Sequence, residues 1–219
     1  FLFYIFTFII PYHYETEQRR DTKNHFQTFI TRHYENVSYD DMIKDTNISK
    51  GGLYHYAPNK LELFRLVLDS FFLDLIKIDD DIMIIPSVYG KHILHDFITD
   101  MQVLAHAFAR IQDFLQLPVS ETARAFSYLL SNAPQYYPSF SEKISSVTTK
   151  EKELIKNVLH IAEENGEIKS NMNLIFVSDM FYNSYSGLLL YSSFQPSENF
   201  GDKLLVTFEN VYSLIKADN

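Results

Sequence analysis

Apolar side chains recur along most of this chain at intervals of three and four, the spacing that lines one side of an α-helix. Phe26, Phe29, Ile30 and Tyr34 mark such a side on a first helix over residues 15–33. Leu61, Phe64, Leu68, Phe71, Phe72 and Leu75 mark a wider one over residues 60–77. The run Asp79-Asp80-Asp81 and then Pro86 break that pattern. Three consecutive carboxylates point in different directions, which suits a helix-end loop better than a metal site. Helical patterns resume over residues 89–115, 120–130, 139–165, 174–191 and 200–216. Pro118 closes one segment, Ser120 can cap the next, and residues 132–138 read as a loop. Gly166 stands where a helix C-terminal glycine belongs. The pattern predicts an all-α fold.

Residues 38–60, SYDDMIKDTNISKGGLYHYAPNK, hold two short helical patterns around a tight turn. Ser38 is a good N-cap, and Asp40 and Asp41 fall in the first turn, where the helix dipole favours negative charge. Met42 and Ile43 supply the apolar side of a helix to about residue 46. Asn47 tolerates the left-handed conformation of a tight turn, and Ile48 plugs the angle. Ser49 caps a second helix carrying Lys50, Gly51, Gly52, Leu53, Tyr54 and His55. Pro58 ends it, and Asn59 can cap the helix that starts at Lys60. This is a helix-turn-helix layout, whose second helix enters the major groove of DNA.

These residues carry a family resemblance. ISKGGLYHYAPNK is similar to the signature VSKGTLYHYFPSK of the tetracycline-repressor-like (TetR) transcriptional regulators, and FITRHYENVSYDDMIKDTNIS resembles that family's LFAEKGYEATSVRDIAKAAGVS. The match runs ungapped over residues 26–69; the rest of the chain agrees in helix order and length. Four positions depart from the pattern. Gly52 replaces a usual Thr and removes a hydroxyl that could reach DNA. Ala57 replaces a usual Phe, so a ring is missing at the joint to the next helix. His33 and Asn47 replace glycines, and both residue types are enriched at positive φ. The resemblance implies a DNA-reading head, a ligand-binding body, and a linking helix after Lys60 that sets the spacing of two heads.

Composition changes this picture in two ways. The chain has 219 residues and no cysteine, which excludes disulfides, thiolate catalysis and zinc-thiolate sites. Its net charge of -9 looks wrong for a DNA binder until its distribution is seen. Residues 1–60 carry seven Lys or Arg and seven Asp or Glu; the remainder carries twelve against twenty-one. A neutral head on an acidic body leaves DNA contact to a few placed groups.

Residues 1–10 are almost entirely apolar and precede Pro11. A bilayer-spanning helix needs ~20 residues, and the basic start and cleavage site of a secretion signal are missing. Three readings stay open: an extension or fragment edge outside the native domain, an apolar arm that docks on a partner, or a membrane anchor. Arg19, Arg20 and Lys23 form a loose basic cluster, either a solvated face or phosphate contacts. In the body, His92, His95, His106, Arg110, Phe114 and Tyr128 are candidate ligand-pocket residues. His92 and His95 share a helix side without an HExxH pattern, so a satisfied or surface pair is the plain alternative. The rings of Phe108, Phe114, Phe126, Tyr128, Tyr136 and Tyr137 suit a bulky apolar or aromatic effector, or simply the core.

Residues 174–191 are apolar on nearly every side, with Ser178, Ser184, Ser186 and Gly187 as small residues. Leu204, Leu205, Phe208, Val211, Tyr212 and Ile215 add a second stripe. Two such helices suggest a homodimer through residues 174–216, a four-helix bundle about a two-fold axis; burial within one chain is the alternative. No phosphate loop, GxSxG elbow or paired-carboxylate motif appears, so no catalytic residue, metal or cofactor is expected.

The expected organisation is an apolar extension at 1–14, a helix-turn-helix domain at 15–59 and a helical ligand-binding and dimerisation domain at 60–219. The expected function is a cytoplasmic, non-enzymatic regulator, a repressor released from a palindromic operator by a small effector. Its partners would be double-stranded DNA, that effector and a second copy, with no membrane. DNA contacts are assigned to Ser38, Ser49, Lys50, Gly51, Gly52, Tyr54, His55 and Lys60. The alternative is a helical small-molecule-binding protein or enzyme with a vestigial head.

Overall fold

The computed structural model describes residues 17–44, 49–76, 90–99, 108, 111–195 and 200–218. Their regular structure is helical apart from one isolated antiparallel bridge between Ile168 and Lys216, so the fold is all-α as the pattern predicts. The apolar run at 1–10, the turn residues Asn47 and Ile48, and the acidic run at 79–81 lie outside the described residues.

Contacts divide the chain into two compact units, residues 1–72 and 73–219. The first holds α1 (Glu17–Arg32), α2 (Tyr39–Lys44), α3 (Lys50–Tyr56) and α4 (Lys60–Val67), followed by a π-helical turn, Leu68–Phe72. Phe26, Phe29 and Ile30 of α1 are buried as the spacing requires. Phe26 stacks near Phe71 and Phe72, with ring centroids 5.1 and 5.8 Å away, and Phe29 meets Phe64 edge-on at 5.0 Å. The unit boundary thus falls after Phe72 and not before Lys60, because Leu63, Phe64, Val67, Leu68, Phe71 and Phe72 bury with the head. These pairs recur every four residues, slightly more than one α-helical turn. The wider π turn keeps the later pair on the same side.

The second unit opens with α5 (Leu73–Ile76) and continues through α6 (Ile93–Thr99), a helical piece at 111–115, α7 (Val119–Tyr136), α8 (Phe140–Glu164), α9 (Leu174–Ser192) and α10 (Phe200–Ile215). The expected loop at 132–138 is instead mostly helix. Pro134 sits inside the last turn of α7, which closes with the Tyr137 N–H on Ala133 O at 2.8 Å. A proline disfavours the helical conformation of the residue before it without forbidding it, and here one more hydrogen bond is made beyond the ring.

α8 ends as expected at Gly166, whose φ is 68°. The Glu167 N–H reaches Ala162 O at 2.9 Å and the Gly166 N–H reaches Glu163 O at 3.0 Å, a Schellman closure. The chain then turns Glu167 inward. Its carboxylate accepts the backbone N–H groups of Leu94 and His95, both at 2.9 Å, and so caps the start of α6 from the far side of the sequence. A single buried core includes Phe97 of α6, Ala123 of α7, Leu154 and Val158 of α8, Phe181 of α9, and Phe208 of α10.

Candidate DNA-reading surface and ligand cavity

In the head, three side-chain caps set the helix starts. Ser38 and Asp41 bond reciprocally: the Asp41 N–H reaches Ser38 Oγ at 3.2 Å, and the Ser38 N–H reaches Asp41 Oδ2 at 3.0 Å. Hydrogen bonds from Ser38 hold the Asp41 carboxyl below its ordinary range. Ser49 Oγ accepts the Gly52 N–H at 3.1 Å, and Asn59 Oδ1 accepts the Glu62 N–H at 3.0 Å. His33 takes a φ of 65°, in line with its replacing a glycine.

These caps leave the start of α3 outward. Ser49, Lys50 and Gly51 are exposed, as are Tyr54 and His55 on its later turn, while Leu53 is buried as its anchor. A Cβ added at Gly51 would meet nothing, so that edge stands in open space. Lys50 Nζ lies 3.6 Å from Asp40 across an exposed pair, a contact water screens readily. Ser38 is exposed but its hydroxyl donates to Asp41 Oδ2 at 2.6 Å, so its first role is local.

Two side chains clasp the motif from inside. The Tyr39 hydroxyl donates to Ala57 O, tying the start of α2 to the end of α3, and its ring lies 4.8 Å from that of Tyr54. Ala57 is fully buried despite lacking the expected ring. Lys60 is the second clasp. Its ammonium donates to Tyr34 O and Val37 O, both at 2.9 Å, and sits 4.2 Å over the Tyr34 ring. Two of its three N–H donors are therefore used within the head. Lys60→Ala leaves two carbonyls without their donor, and thermal unfolding should show a loss of about 1–3 kcal/mol; a variant as stable as the parent would remove the clasp.

The second unit contains a cavity of about 260 Å³ between α7, α8 and α9. Ile144, Val147, Thr148 and Glu151 line it from α8, and Tyr182, Tyr185, Ser186, Leu189 and Leu190 from α9. Phe126, Ser127, Leu130 and Ser131 of α7, with Ile76 and Phe108, complete the described wall. Glu151 is only 8% exposed. Burial pushes its carboxyl up to about 7, with a hydrogen bond to Tyr182 opposing. The Tyr182 hydroxyl oxygen also lies within hydrogen-bond distance of Thr148 Oγ1, at 3.1 Å. Tyr185 is raised well above the ordinary phenol range, by burial first and by the Glu151 charge second.

Of the ligand residues named from the sequence, the four described ones do not line this cavity. His92 and His95 are exposed on the outer side of α6, whose apolar side is Ile93, Leu94, Phe97 and Ile98. His95 faces Glu209, with Nε2 3.8 Å from its carboxylate, and the Tyr212 ring at 5.6 Å. Phe114 and Tyr128 are half-buried and do not line the cavity; His106 and Arg110 lie outside the described residues. Sequence reasoning passed over Glu151, yet the signal was present. It interrupts the stripe Ile144, Val147, Leu154, Ile155, Val158 at a position where an apolar residue belongs.

No family model and no curated protein matches the sequence. Solved structures do match the fold. The fold is that of the TetR regulators, which three solved structures match over more than nine-tenths of this chain. SmeT, the repressor of the Stenotrophomonas maltophilia multidrug efflux pump SmeDEF, superposes at a TM-score of 0.65 and 11% identity, over 93% of this chain and 92% of that one. A TetR transcriptional regulator from Chloroflexus aurantiacus gives 0.59 and 13%, over 92% and 97%. A TetR-family transcriptional regulator from Cytophaga hutchinsonii gives 0.57 and 11%, over 93% and 98%.

Proposed function

We propose that this chain is a DNA-binding transcriptional regulator, a repressor released from a palindromic operator by a small molecule that enters the cavity of the second unit. The observation that carries the reading is the Ser49-capped, outward start of α3 on a TetR-like fold. Ser49, Lys50, Gly51 and Gly52 are proposed at the base edges, since the first residues of a recognition helix reach them. Tyr54, His55, Ser38 and the remaining donor of Lys60 are proposed at phosphates. The domain assignment follows the units: reading head to Phe72, effector and dimerisation body from Leu73.

A dimer would place two heads about one helical turn, ~34 Å, apart. Its proposed surface is the exposed side of α9 and α10, where Phe176, Phe194, Val206 and Leu214 are each at least 60% exposed. Among the described residues no helix is long and apolar enough to cross a membrane.

A gel shift with the DNA upstream of the coding region tests the reading. Retention that falls steeply with salt supports it, and no retention at low salt would leave a helical small-molecule-binding protein with an unused head. In the same assay, Lys50→Ala should change which sequences are preferred, by about 1–3 kcal/mol at the affected base pair. If it scaled every affinity alike, Lys50 would be a phosphate contact.

A further inference from the structure

The cavity has a chemical character that its apolar wall conceals. Its polar edge comprises Ser127, Ser131, Thr148, Glu151, Tyr182, Tyr185 and Ser186, and no Lys, Arg or His is among its described lining residues. Lys152, the next residue on α8, is engaged elsewhere: its ammonium lies 2.7 Å from Asp179 Oδ1 and 5.0 Å over the Tyr182 ring. Glu151 therefore brings a buried acid to an apolar space in which no basic group among the described residues faces it. Among the described lining residues, the titratable groups beside it are the phenols of Tyr182 and Tyr185 on α9.

We propose that this cavity takes a compact lipophilic monocation, a protonated amine or quaternary ammonium on an aliphatic or aromatic body, with the Glu151 carboxylate as its counter-charge. The inference rests on the reading of this cavity as the effector site. A buried carboxylate is costly without a partner, and a ligand cation supplies one where water is scarce and the attraction strong. The Tyr185 ring on the cavity wall adds an aromatic surface that a cation favours. The volume lies near the lower end of the ~300–1,000 Å³ typical of drug-sized ligands, which suits one or two rings.

The test uses a matched pair of probes, 1-naphthylmethylamine, cationic at about pH 8, and its neutral isostere 1-naphthylmethanol. Calorimetric titration of the full chain should give the amine at least a tenfold tighter Kd. Glu151→Gln keeps the shape of the side chain and should remove that preference, leaving both probes bound alike. Equal affinities in the parent, a preference that survives in Glu151→Gln, or no binding of either probe would overturn the proposal. A gel shift on the same preparation separates the two readings. DNA retention without probe binding leaves the regulator standing and removes the cation site. Glu151-dependent amine binding without DNA retention does the reverse.

Discussion

Glu151→Gln should raise the melting temperature at about pH 8 and leave it unchanged at about pH 4. The sign follows from the raised carboxyl, about 7 in the folded chain against an ordinary 4.5. Below the ordinary value the group is protonated in both states and contributes nothing. Between the two values the folded state holds a proton that the unfolded state has lost, so stability falls as pH rises. Above about 7 the full penalty applies, roughly 3 kcal/mol for a separation of this size. The amide resembles the protonated acid and never charges, so the variant lacks this slope. A gain of roughly 5–10 °C at the higher pH is expected for a unit of this size. Asp41 titrates in the opposite sense, its stabilisation present above its ordinary value and lost as pH falls, but it does so in both proteins and cancels in the difference. Parallel melting curves across this pH range would show that Glu151 is solvated or already paired. The penalty has a functional reading: a cation bound beside Glu151 would offset it.

The second large effect is on association. Phe176, Met180, Asn183, Gly187 and Leu190 recur along α9 at intervals of three and four, on a side that is mostly exposed, and Phe194 follows just past its end. Gly187 lies near its middle, and a Cβ built there meets nothing within 4 Å. Gly187→Leu therefore meets no neighbour at its Cβ in the single chain and improves helix propensity by up to about 1 kcal/mol. Across a two-fold contact the same leucine keeps two helices from the 8–10 Å approach that close packing needs. Sedimentation should show a dimer in the parent and a monomer in Gly187→Leu, with thermal unfolding confirming that the variant is folded. Leu190→Glu should separate the protomers as well, by burying like charges. A monomeric parent at micromolar concentration would sink the dimer, and with it the palindromic operator.

The legible part of this protein is local. Ser49, Asn59 and Gly166 act as the helix caps their sequence neighbours require, because each bond spans three to five residues. The apolar stripes likewise name most of the buried residues of α1 and α10, though Leu205 of the second stripe is 40% exposed because it lies at the stripe's edge. A chain of such stripes admits little but helix packed on helix, so the all-α fold was readable before any contact was known.

Tertiary structure decided the rest. The Lys60 ammonium ends beside carbonyls 23 and 26 residues earlier, which no pattern around Lys60 announces. The head keeps α4 and the π turn because Phe26 and Phe29 fill the space against them. His92 and His95 looked like pocket residues, but the side of α6 that carries Ile93 and Phe97 turned inward and left them in water. The cavity belongs to three helices whose lining residues are far apart in the chain. Periodicity fixes what each helix hides; only packing decides where three hidden sides fail to close, and which charge is left facing the gap.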